Sequence, residues 1–214
     1  MEKLGNWGEK MIYAVIDLMS GAVFALLFAW IFLACRGQRS VGRFCLISLF
    51  TVYLCEMFNV VGIPAIPYFR WSPSVNLIPF GDEKSCRFFF QIGMNAVMFL
   101  PFGFLLPLLW KACRRWKVTT LAGLALSALI ELMQLFCFRA TDVDDLLMNT
   151  LGAYLGYLLA WVLFHQKWRQ TDGAEPSNGS GWLGPILATL NPLLVTVLIR
   201  SAVSEWIYRL PLFD

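Results

Sequence analysis

Long apolar runs alternate with short polar breaks along this chain, and the pattern predicts a polytopic bundle of membrane helices. A run of about 18 or more apolar residues is long enough to cross a bilayer as a helix. Five strong spans and a weaker sixth are predicted, at residues 11–34, 44–64, 88–110, 118–138, 143–164 and 185–207. The predicted fold class is therefore all-α, with five core transmembrane helices and a C-terminal sixth hydrophobic helix.

The amino-acid composition supports this prediction. Hydrophobic residues make up 58% of the 214 residues and charged residues only 14%, whereas soluble domains carry about 25% charged residues. A soluble chain of this size could not bury so many long apolar runs. The six cysteines show no CxxC spacing, so we expect them to fill packing positions and not to form a disulfide set or a metal site.

Three short breaks carry much of the positive charge, and they orient the predicted helices. Segments 36–43, 111–117 and 165–170 hold nine of the 17 Lys and Arg residues. Lys and Arg concentrate in the cytoplasmic loops of membrane proteins, so these breaks are predicted to be cytoplasmic and the N-terminus to lie outside. Because membrane topology alone accounts for these basic clusters, nucleic acid is not expected as a partner.

A polar stretch rich in Gly and Ser separates the last apolar run from the others. Such composition is typical of a linker. We expect a membrane domain at 1–168, a linker at 169–184 and an additional hydrophobic helix at 185–214. That last helix either crosses the membrane or lies in its interface.

A dense group of acidic residues opens the fifth predicted span. Asp142, Asp144 and Asp145 follow Arg139, and Asn149 comes one helical turn later. Carboxylates in the first turn cap a helix and favour its dipole, which is a purely structural role. Carboxylate oxygens also suit Mg²⁺ or Ca²⁺, so Asp142, Asp144 and Asp145 could hold a cation and, through it, a lipid phosphate. A third interpretation is an outward-open polar pocket, with Arg139 bridging the carboxylates.

Polar residues also interrupt the third and fourth predicted spans. A polar side chain in hydrocarbon needs a partner or a watery cavity. Glu131 and Gln134 lie one turn apart, with Glu131 roughly 10 Å from the outer end of its predicted span. The structural interpretation is a single interhelical hydrogen bond to Asn95 or Asn149, and the functional one is the floor of a binding pocket.

The connection at 65–87 is predicted to lie on the same side of the membrane as the acidic group. It is long for a connection between helices, and such loops are usually functional or disordered. This one is rich in proline and aromatic residues. That content favours a loop packed on the membrane surface or re-entering between the helices.

Four motifs occur in this order: NLIPF (76–80), NAVMFLPFGFLLP (95–107), IELMQLF (130–136) and RATDVDDLLMNTLGAYLGY (139–157). Together they resemble the VanZ-like family, whose namesake is a teicoplanin-resistance protein. The resemblance covers about residues 10–165. It implies an integral membrane protein of the cell envelope that reduces susceptibility to glycopeptide antibiotics, teicoplanin more than vancomycin. It also implies functional roles for Asn76, Asn95, Glu131, Gln134, Arg139, Asp142, Asp145 and Asn149.

Together these features favour a binding protein. We expect an outward-facing pocket between the third, fourth and fifth spans, with the 65–87 loop above it. This pocket would bind a membrane lipid, a cell-wall precursor, a teichoic-acid-type polymer or a lipoglycopeptide. No cofactor is expected. The alternative is a metal-dependent enzyme acting on a lipid-linked phosphate, with Asp142, Asp144 and Asp145 on the metal and Glu131 as acid or base. Catalysis is left open, although no nucleophile stands beside a base in the sequence. A third alternative is a structural partner of another envelope protein.

Overall fold

The computed structural model confirms the all-α prediction. It describes residues 19, 23, 24, 26–34, 40–63, 71, 74–76, 86–136, 140–172 and 183–199. The helices are α1 (26–34), α2 (Val41–Val60), α3 (Cys86–Leu109), α4 (Trp116–Gln134), α5 (Val143–Asp172) and α6 (Leu183–Leu194). A 3₁₀ turn at Lys111–Cys113 joins α3 to α4, and a π-helical turn at Val195–Ile199 follows α6.

Within the described residues, four helices are long and apolar enough to cross a membrane: Val41–Val60, Phe89–Leu109, Trp116–Gln134 and Val143–Gln170. They correspond to the second to fifth predicted spans, so the protein is a multi-pass membrane protein. Half of the first predicted span, and the last residues of the sixth, lie outside the described residues. The described part of the sixth is the shorter apolar helix Leu183–Leu198.

The C-terminal ends of α4 and α5 differ from the predicted ones. α5 continues to Asp172, so the basic segment 165–170 is the end of a helix and the prediction of a break there is wrong. That segment contains neither Gly nor Pro, and charged residues can leave the membrane without interrupting helical hydrogen bonds. α4 ends at Gln134. Glu131 therefore lies in the last turn of α4, about 5 Å from the helix end, and is less deep than predicted.

The chain divides into two compact units, Met1–Phe69 with Ala188–Asp214, and Arg70–Leu187. In the first unit α2 buries Phe58 completely and ends in a turn where Gly62 has a φ of 73°. Only glycine adopts this left-handed conformation without steric cost, which explains why α2 ends before the predicted boundary. The predicted domain limits stay a prediction.

In the second unit α5 packs along both α3 and α4. Glycines allow the backbones to approach closely: a Cβ atom at Gly152 would overlap the carbonyl group of Ala96, and one at Gly103 would overlap the backbone of Ala153. Small residues at crossings are the usual means by which membrane helices pack tightly. The two faces of α5 are thereby held in a defined register against α3 and α4.

A short parallel strand pair completes the second unit. β1 (Ser74–Asn76) pairs with β2 (Ala140–Asp142), and the register places Asn76 opposite Asp142. Strands of three residues are too short for an alternating pattern to reveal them, and the sequence did not predict them. The pairing brings part of the long 65–87 connection against the acidic turn that precedes α5.

Candidate functional site

The predicted polar residues meet at one end of the second unit, where β1, β2, the last turn of α4 and the first turns of α5 come together. We call this group the polar cluster. Its members are Asn76, Asn95, Glu131, Gln134, Asp142, Asp144, Asp145 and Asn149. Arg139, which the sequence assigned to the same site, lies outside the described residues, so its predicted bridge to the carboxylates stays a prediction.

Asp142 is the residue through which the elements of the polar cluster are joined. Its Oδ1 accepts a hydrogen bond of 3.0 Å from the backbone N–H of Asp144, which caps α5 at its start. Its Oδ2 accepts a 3.3 Å hydrogen bond from Nδ2 of Asn76. Its own backbone N–H donates a 3.1 Å hydrogen bond to Oε2 of Glu131. One aspartate therefore ties the loop after α2, the end of α4 and the start of α5 together.

A second polar contact joins α3 to α5. Nδ2 of Asn95 donates a hydrogen bond to Oδ1 of Asp145. Asn95 lies well inside α3, and Asp145 lies in the first turn of α5. A hydrogen bond to a charged acceptor is stronger than one between neutral groups, so this contact fixes how the two helices align.

Deeper in the bundle, Asn149 joins α5 to α4. Its Nδ2 donates a 2.9 Å hydrogen bond to Oγ of Ser127. The expected contact from Glu131 to Asn95 or Asn149 stays a prediction, and the amides of Asn95 and Asn149 bond Asp145 and Ser127. Oδ1 of Asn149 is buried and accepts no hydrogen bond from any described residue. A buried amide oxygen in this state is costly, and a water molecule or a ligand hydroxyl would relieve that cost.

Solvent exposure falls steeply across the polar cluster. Asn76 is exposed, and Asn95, Asp142 and Asp145 are partly buried. The remaining members are almost fully buried, with exposed fractions of 1% for Asp144, 3% for Asn149, 6% for Glu131 and 6% for Gln134. The cluster is thus accessible at the β1–β2 end and closed toward the middle of the bundle.

Aromatic rings flank the accessible side of the cluster. The rings of Trp71 and Phe136 lie 5.2 Å apart between centroids, and Trp71 is 63% exposed. Trp71 belongs to the 65–87 connection and Phe136 follows α4. An exposed tryptophan at a span end is typical of the membrane interface, so we expect the opening of the cluster to lie at the level of lipid headgroups.

The chemistry offered by the polar cluster is that of carboxylates and amides. Four of its members are acidic, and the others supply amide groups that both donate and accept. Among the described residues, no three His, Cys, Asp or Glu side chains are grouped so that they could hold a metal ion. The metal-dependent alternative at Asp142, Asp144 and Asp145 therefore gains no support, and the arrangement suits hydrogen bonding to a polar headgroup.

Comparison with known proteins gives a family match that covers this site. The VanZ/LLP1 family model matches residues 44–165. The protein VanZ of Enterococcus faecium is 34% identical over 87 residues, which is 40% of this chain and 52% of that protein. The chain thus spans about half the length of the curated relative it matches. No solved structure matches the chain.

Proposed function

Because this chain belongs to the VanZ/LLP1 family, we propose that it lowers susceptibility to teicoplanin by binding an envelope molecule at the polar cluster. The ligand would be a lipid headgroup, an envelope polymer or the lipoglycopeptide itself. The observation that carries the proposal is the triple role of Asp142, which joins the long 65–87 connection, α4 and α5 around one set of acids and amides.

Burial and position support binding at this place. The polar cluster is exposed at Asn76 and buried at Glu131 and Gln134. A ligand anchored in the membrane presents its polar group at the interface, where the cluster opens. Teicoplanin carries an acyl chain, so its sugars and peptide approach the cell at the same depth as envelope lipids.

The proposed roles follow from the contacts. Asn76 and the carboxylate of Asp142 would meet the ligand first, because they lie at the exposed end. Glu131, Gln134 and Asn149 would form the floor, where the free oxygen of Asn149 accepts a ligand hydroxyl or a bridging water. Arg139 would pair with an anionic group of the ligand.

The test is a set of substitutions that keep the hydrogen bonds and remove the charge. Glu131→Gln and Asp145→Asn retain the oxygen acceptors that face Asp142 and Asn95, so the bundle is expected to fold. Arg139→Gln removes the predicted cation. The matched control is Asp172→Asn, the same change at the last residue of α5.

Each variant is expressed in a teicoplanin-susceptible host, and its amount in the membrane is measured beside the minimal inhibitory concentration. We expect Glu131→Gln, Asp145→Asn and Arg139→Gln to return the host to the susceptibility of cells without the protein, while Asp172→Asn protects like the unaltered chain. Full protection by Glu131→Gln and Arg139→Gln at normal membrane levels would contradict the proposal.

A further inference from the structure

The opposite end of the second unit has a chemistry of its own, which the proposed function does not use. It consists of the turn at 110–117 and the stretch of α5 at 154–170, and we call it the basic end. The turn follows α3 and precedes α4, and α5 passes beside it. Both segments are rich in tryptophan and in positive charge.

Specific contacts hold the turn against α5. The Tyr157 hydroxyl donates a 2.9 Å hydrogen bond to the backbone carbonyl of Arg114. The Arg114 guanidinium lies 5.4 Å from the centroid of the Trp168 ring, within the range of a cation–π interaction. Trp168 is only 7% exposed and packs in a cluster with Tyr157 and Ala160. The position of the Arg114 charge is therefore fixed by the fold.

Further positive charges surround this fixed one. Arg115, Lys117 and Arg169 are all exposed. Neither 110–117 nor 165–170 contains an Asp or Glu. Positive-inside topology explains why basic residues are present. It does not require that one of them, Arg114, be held against the buried Trp168 ring.

The exposed tryptophans show where the basic end sits in the membrane. Trp116 is 52% exposed and Trp161 is 45% exposed, and exposed tryptophans mark the membrane–water interface. Arg115 is next to Trp116 in the chain, and Arg169 lies about 12 Å beyond Trp161 along α5, so we expect both charges on the water-facing side of the tryptophans, where lipid phosphates lie. Leu155 and Leu159, 43% and 45% exposed on the same helix, offer an apolar surface for acyl chains.

We propose that the basic end binds an anionic phospholipid, with the phosphate held by Arg114, Arg115 and Arg169 and the acyl chains along α5. Charge complementarity favours a lipid over a soluble anion, because Arg169 follows the exposed apolar face on α5 and Arg114 contacts Trp168 of the same helix. Basic groups beside membrane helices bind anionic headgroups in this way. The binding is independent of the polar cluster and of any effect on teicoplanin.

The test uses the full chain purified in a neutral detergent. Native mass spectrometry gives apparent dissociation constants for phosphatidylglycerol and for phosphatidylcholine with the same acyl chains, and inorganic phosphate is added as a competitor. The variants Arg115→Gln and Arg169→Gln change exposed side chains, so folding is expected to be unaffected, and an unchanged melting temperature in detergent alone checks this. Arg43→Gln on α2 is the control with the same loss of charge.

We expect phosphatidylglycerol to bind more tightly than phosphatidylcholine, and each basic-end variant to weaken that binding by about fivefold, as the loss of one interfacial charge implies. Arg43→Gln is expected to leave it unchanged. Equal binding of the two lipids, equal weakening by Arg43→Gln, or displacement by inorganic phosphate at comparable concentration would each overturn the proposal. The last result would identify a site for soluble anions.

Discussion

The two ends of the α3–α4–α5 bundle are held together by different forces. At the polar cluster, hydrogen bonds to carboxylates and from amide side chains join α3, α4 and α5. At the basic end, aromatic rings are buried around a guanidinium and a backbone carbonyl. We expect the basic end to be the more rigid of the two, because its contacts are buried rings, and the proposed ligand to exchange contacts at the polar cluster.

Between the two ends lies the glycine-lined crossing of α5 with α3. Gly103 and Gly152 bring the backbones of α3 and α5 into close approach. Variants at the basic end, the crossing and the polar cluster separate the contributions of the three regions to stability.

The largest expected contrast is in thiol reactivity at the basic end. Burial raises the pKa of Cys113 from 9.0 to about 12, which lowers its thiolate fraction at neutral pH by about a thousandfold. The folded state favours the neutral thiol, so this contribution to stability is present below pH 9 and is lost as the pH rises toward 12. In single-cysteine variants, maleimide should react far more slowly with Cys113 than with the exposed Cys45. Equal rates in the folded protein would show that the turn opens readily.

Truncation of the buried tryptophan should cost the most stability. Trp168→Ala removes a nearly buried ring beneath Arg114, and we expect a loss of about 3 kcal/mol. Trp161→Ala, on the same helix but 45% exposed, should change stability by less than about 0.5 kcal/mol. Unfolding free energies in mixed micelles measure both. Similar losses for the two variants would show that the buried Trp168 ring does not support the turn at Arg114.

A methyl group should be tolerated at Gly93 of α3 but not at Gly103, which lies at the crossing with α5. Gly103→Ala forces the helices apart against the Ala153 backbone, and we expect a loss of about 1–3 kcal/mol. Gly93→Ala meets nothing within 4 Å and should be neutral or stabilising, because alanine favours helix. The same unfolding measurement applies, and a stable Gly103→Ala variant would mean that the helices are not in contact there.

The smallest effect is expected for the hydrogen bond inside the polar cluster. A double-mutant cycle of Asn149→Ala and Ser127→Ala should give a coupling energy of about 0.6 kcal/mol, the usual size for a side-chain hydrogen bond between membrane helices. No coupling at all would indicate that the 2.9 Å contact does not persist in the membrane.

Several parts of this structure follow from the sequence. The apolar runs predicted the second to fifth spans because each must match the thickness of a bilayer. The sequence also places Glu131, Asp142 and Asp145 in one predicted site, because polar side chains within apolar helices need partners. Glu131 contacts the backbone of Asp142, and Asp145 contacts Asn95, while the role of this site stays a prediction.

Other features could not be predicted from the residues alone. The β1–β2 pairing depends on three residues in each strand and on a contact between distant segments. The particular partners within the cluster, such as Ser127 for Asn149, depend on the register that the glycines set. The sequence does not predict the extension of α5 to Asp172. The basic residues at 165–170 mark where the membrane span ends, but a helix can continue beyond the membrane.

The most direct test of the account is the orientation of the two ends. All six cysteines are replaced, and single cysteines are introduced by Asn76→Cys at the polar cluster and by Gln170→Cys at the basic end, both at exposed positions. Intact cells are treated with a membrane-impermeant maleimide, before and after permeabilisation. The account predicts that residue 76 is labelled in intact cells and residue 170 only after permeabilisation. Labelling of residue 170 in intact cells, with residue 76 protected, would contradict it.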